Sequence, residues 1–64
     1  MLTRETMQDV QQQIEWLRLA IRHYSRCAIA THRRQRREWF ETRVRQYEAM
    51  VEGLAMVMRM EGAR

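Results

Sequence analysis

Two apolar stripes, one in each half of this chain, mirror each other residue for residue. Met7, Val10, Ile14, Leu17, Ile21 and Tyr24 alternate steps of three and four, the period of one face of an α-helix. Phe40, Val44, Tyr47, Val51, Leu54 and Met58 repeat that spacing. If the chain doubles back near residue 32, the stripes meet in layers: Tyr24 with Phe40, Ile21 with Val44, Leu17 with Tyr47, Ile14 with Val51, Val10 with Leu54, and Met7 with Met58. The residue numbers of each pair total 64 or 65 alternately, as two antiparallel helices in register require. The pattern predicts an all-α antiparallel helical hairpin, a single domain over residues 1–64. Helix 1 is expected over about 4–29 and helix 2 over about 32–60.

Local signals set these limits. Thr3 is a good N-cap, with Leu2 and Met7 at the two positions of a hydrophobic staple and Glu5 placed favourably against the helix dipole. Between Ala30 and Glu38 no large apolar residue occurs, and Thr31 is positioned to cap the second helix. Gly62 is expected at the left-handed position that ends helix 2, after Arg59 in its last turn. Heptad phase argues against one continuous rod. With Ile14, Ile21 and Ala28 at position a, the next a would be Gln35, whereas the second stripe places a at Arg37, Val44 and Val51. A slip of two residues matches neither ordinary coiled-coil discontinuity, which inserts three or four.

The same phase sorts the remaining positions into two flanks. In an antiparallel pair the g sides of both helices adjoin, so positions g, c and f share one flank. There lie Trp16, Leu19, Ala20, His23, Trp39, Ala49, Met50, Gly53, Met56, Val57 and Met60. This is more apolar surface than a monomer leaves in water, and Trp and Met are residues that interfaces favour. The opposite flank holds mainly Gln, Glu and Arg, with Arg18 facing Glu48 and Glu41 four before Arg45. One seam between two helices is a thin core, and a single cysteine permits no intrachain disulfide. A homodimer joined through the apolar flank as a four-helix bundle is therefore expected.

The net charge of +4 is unevenly placed. Residues 18–37 carry Arg18, Arg22, Arg26, Arg33, Arg34, Arg36 and Arg37 and no acid. Gathered at the hairpin tip, Arg22, Arg26, Arg33, Arg34, Arg36 and Arg37 form a surface for phosphates or carboxylates, with Trp39 nearby to stack on a base. No groove-reading motif accompanies them. His23 and Cys27, one helical turn apart, and His32 are metal-ligand types, but structural zinc wants four ligands and closer Cys spacing, so no metal is expected. Ser25 has no evident base, no Gly-rich phosphate loop occurs, and the carboxylates fall on the wet flank; no enzyme, cofactor or small-molecule substrate is expected. No apolar stretch reaches the ~18 residues of a membrane span, and no secretory leader is recognised, so a cytoplasmic protein with no membrane partner is expected.

In length and expected architecture the chain resembles the plasmid Rop family of RNA-binding bundles and the short hairpin chaperones of secretion-needle subunits. These are likenesses of shape, which do not carry function. The function expected from the residues is that of a small regulator, inhibitor or chaperone-like adaptor that binds a partner protein through the apolar flank. The alternative is an RNA- or DNA-binding bundle that uses the Arg-rich tip.

Overall fold

The computed structural model describes residues 3–62. Helix α1 spans Arg4–Ala30 and helix α2 spans Arg34–Gly62, and they pack against each other as a hairpin 47 Å long, 15 Å wide and 11 Å thick. The chain therefore reverses as the mirrored stripes require. The staple residue Leu2 lies outside the described residues.

α1 opens as its sequence predicts. Thr3 is extended, its Oγ1 accepts from the Thr6 amide at 3.1 Å, and its carbonyl accepts from the Met7 amide at 3.0 Å. The side chain thus satisfies one of the amides that every helix start leaves free. At the other end Thr31 sits at φ −89°, ψ 129°. This extended conformation suits a β-branched residue and stops the helix.

α2 departs from expectation at both ends. It begins at Arg34 rather than near residue 32, and Thr31 is the C-cap of α1 rather than the N-cap of α2. The reason is distance. Packed helices lie ~8–10 Å apart, and an extended residue covers at most ~3.6 Å; residues 31–33 are all needed to cross. At the C-terminal end the helix runs through Gly62, and no described glycine has a positive φ. The expected left-handed stop at Gly62 is absent because the residue is still part of the hydrogen-bonded helix.

All twelve stripe residues are buried or half-buried. Leu17 is 1% exposed, and Ile14 and Ala28 complete the buried set. Every fully buried residue among those described comes from α1; α2 contributes none. A seam between only two helices encloses few side chains. All six stripe residues of α2, small and large alike, stay half-buried, while Ile14 and Leu17 of α1 are covered.

Candidate interaction surface

Inward rotation of the a and d positions turns g, c and f to one side of both helices. Eight large apolar side chains are exposed among the described residues, and seven of them belong to that side: Trp16, Leu19, Trp39, Met50, Met56, Val57 and Met60. The remaining candidates complete the patch, with His23, Ala49 and Gly53 exposed and Ala20 half-buried. The eighth, Ile29, lies on the opposite flank and is 86% exposed. It edges a shallow groove with Ser25, Ala28, Glu41, Val44 and Arg45, residues of the e, b and a positions, which places the wet flanks of both helices on one side.

Gly53 occupies open space: a Cβ built there meets nothing within 4 Å. No packing within the hairpin accounts for a glycine that costs ~1 kcal/mol relative to alanine inside a helix. Ala49, one helical turn before it, is another small residue of α2 on this flank, at the level of Trp16 on α1.

The two tryptophans are anchored from beneath by aromatic residues of the seam. Trp16 meets Tyr47 across the hairpin edge-on at 6.3 Å, and Trp39 meets Tyr24 in the same manner at 6.0 Å. Tyr24 also stacks on Phe40 at 5.8 Å and lies 5.7 Å from Tyr47. The four distances join both tryptophans to one ladder of rings. Arg43 places its guanidinium 5.0 Å from the centre of the Trp39 ring, a cation–π contact. Sequence reasoning named neither Arg43 nor the two tyrosines as part of the site. The available signal was the four-residue step from Trp39 to Arg43.

The Arg-rich tip is divided. Arg33, Arg34 and Arg36 line an open groove with Gln35, Trp39 and Phe40. Arg37 lies on another groove, with Ala28, Ile29, Thr31, His32 and Glu41. Arg22 and Arg26 are exposed on α1 and line neither. Arg34 donates from Nε to Glu38 Oε1 at 3.1 Å, an exposed i,i+4 pair, which lowers the free positive charge by one. Arg18 and Glu48 make no ion pair, nor do Glu41 and Arg45; these exposed partners gain too little to hold each other.

The start of α2 violates the rules that α1 obeys. Arg33 stands at the cap position, its carbonyl accepting from the Arg37 amide at 3.0 Å. Its guanidinium has donors only and cannot cap. No acid lies in the first turn, so arginines surround the positive end of a helix dipole.

Other chemistry is sparse. The Cys27 Sγ is 3.7 Å from His23 Nε2, whereas His32 belongs to the Arg37 groove at the tip. Among the described residues no group of three or more His, Cys, Asp or Glu is placed to hold a metal ion, and no helix is long and apolar enough to cross a membrane. Comparison with protein-family models, curated proteins and solved structures gives no match to this chain.

Proposed function

We propose that this chain is a non-enzymatic protein-interaction module, a regulator, inhibitor or chaperone-like adaptor, that binds a protein partner through its apolar flank. One distribution carries this: seven of the eight exposed large apolar side chains fall on the g, c and f flank. Tryptophan and methionine are residues that binding surfaces concentrate, and a rigid ring ladder holds Trp16 and Trp39 ready at little entropic cost on binding. The hairpin supplies two helices of a four-helix bundle, and an apolar helical partner completes it. A reducing, cytoplasmic setting fits the lone unpaired thiol of Cys27.

Co-purification of the tagged chain from its native host, read by mass spectrometry, tests the proposal. A bound protein, either another copy or a foreign chain, is expected with the wild type, lost with Gly53→Glu and Trp16→Ala, and kept with Glu48→Ala on the wet flank. Retention through both flank substitutions would sink it.

A second reading is favoured by the groove in which Arg33, Arg34 and Arg36 lie beside Trp39 at an uncapped helix start. In this reading the tip holds single-stranded RNA or DNA, with arginines on phosphates and the indole on a base. Its signature is a gel shift at low salt that weakens steeply as salt rises and disappears when Arg33, Arg34, Arg36 and Arg37 are neutralised. A blank gel at low salt removes it.

A further inference from the structure

We infer that the occupant of the apolar flank is a second copy of this chain, lying antiparallel so that the tip of each hairpin covers the open end of the other. This rests on the flank being a docking surface, as proposed above, and adds which partner it takes and in what direction.

Charge sets the direction. The fold places residues 18–47 in the tip half of the rod and residues 3–17 and 48–62 in the open half. The tip half carries nine Arg against Glu38 and Glu41, a net +7; the described residues of the open half carry two Arg against six acids, a net −4. On the flank itself the separation is complete. Its tip end bears Arg26, Arg36 and Arg43 and no acid, and its open end bears Glu5 and Asp9 and no base. Within an interface these groups lie inside the ~8 Å over which charges act at physiological salt. A head-to-tail pair sets opposite charges against each other at both ends, whereas a tip-to-tip pair stacks +7 on +7. Like-charge juxtaposition is costly in an interface.

Shape agrees with charge. A two-fold axis at the level of Met50 lies about 16 Å from both Trp39 and Met60, at ~1.5 Å rise per residue. Rotation about it brings the Trp39 of each copy to the level of the partner's Met60, a favourable sulfur–aromatic combination. The same axis brings Arg26 to the level of the partner's Glu5 and Arg43 to that of the partner's Asp9. Gly53 and Ala49 lie within ~5 Å of the axis level at ~1.5 Å rise per residue. A face of 47 by 15 Å offers on the order of 700 Å² per copy, close to the ~800 Å² per partner of a stable interface.

The test measures the distance between two labels. In a Cys27→Ser, Ile29→Cys chain, a nitroxide on residue 29 stands on the opposite flank, where Ile29 is 86% exposed, and the only flank position altered is Cys27, from thiol to hydroxyl. Sedimentation of the pure chain at micromolar concentration is expected to give twice the 7.9 kDa mass. Pulsed electron paramagnetic resonance is expected to give a separation beyond about 40 Å, since antiparallel tips lie ~1.5 Å per residue from the axis on opposite sides. Tip-to-tip packing gives about 25 Å, the width of a four-helix bundle. The dissociation constant is expected to rise with salt and to rise at least tenfold with Gly53→Glu. A monomer at 100 µM chain, a short label distance, or a dimer that tightens with salt would overturn the inference. If the pure chain is monomeric while Gly53→Glu still releases a foreign protein, the second copy is wrong and the docking surface stands. If a dimer forms and ignores Gly53→Glu, both fail.

Discussion

Trp16 of α1 meets Tyr47 of α2 edge to face, with ring centroids 6.3 Å apart and planes at 64°. A residue of the exposed flank is thereby fastened to the seam. Trp39 makes the converse contact, from α2 to Tyr24 of α1, with planes at 84°. The outer surface and the inner core of this hairpin are thus one packed unit, and changes in either are felt in the other.

Tyr24 is the hub of that unit, touching His23, Trp39, Phe40 and Tyr47. Aromatic pairs contribute ~0.5–1.5 kcal/mol beyond area burial. Tyr24→Leu keeps apolar volume in the seam but removes the ring. It is expected to abolish most of the near-ultraviolet circular dichroism of the tryptophans while far-ultraviolet helicity persists. Unchanged near-ultraviolet signal would mean the rings are not held as a ladder.

Leu17 is the most deeply buried side chain among the described residues. Truncation of such a residue to alanine costs ~2–5 kcal/mol through lost burial and an unfilled cavity. For a two-helix seam that is a large share of total stability. Leu17→Ala is expected to lower the urea midpoint sharply, and Leu19→Ala, on the exposed flank, to leave the hairpin's own midpoint nearly unchanged when measured at dilutions that exclude association.

The two helix starts predict opposite responses. Thr3→Ala removes the bond to the Thr6 amide and is expected to destabilise by ~0.5–2 kcal/mol. Arg33→Asp supplies an acceptor and a favourable charge where α2 has neither, and is expected to stabilise by about 1 kcal/mol. Thermal unfolding of the two variants at low salt checks both signs. If Arg33→Asp destabilises, Arg33 holds a structural contact that outweighs capping.

Gly53 separates hairpin stability from association. A Cβ there meets nothing within the chain, so Gly53→Ala is expected to raise helix stability by ~1 kcal/mol in dilute, monomeric solution. Circular dichroism at low concentration reads this directly. A loss of helicity would show that the backbone at residue 53 is strained or closely packed.

Much of the fold is legible in the residues alone. The three-and-four spacing from Met7 to Tyr24 and from Phe40 to Met58 marks the faces that meet, because helical periodicity is a local property of the chain. Thr3 is readable as a cap for the same reason, since its acceptor serves an amide three residues away. The stripe also divides the outer surface, and the exposed flank follows once its phase is known. Ile29 is the departure, an apolar side chain standing exposed on the otherwise wet side.

What required the packed hairpin is everything that spans the gap between helices. Thr31 reads as a cap for α2, yet the width of a helix pair takes it for the crossing and leaves Arg33 at the start of α2. The ring ladder from Trp16 through Tyr47 and Tyr24 to Trp39 depends on how far side chains reach across the seam, which no spacing along one helix encodes. The division of the tip, with Arg37 on one groove and Arg33, Arg34 and Arg36 on the other, likewise comes from the place where the second helix begins. Local periodicity determined which faces join; the distance between two helix axes decided which residues touch.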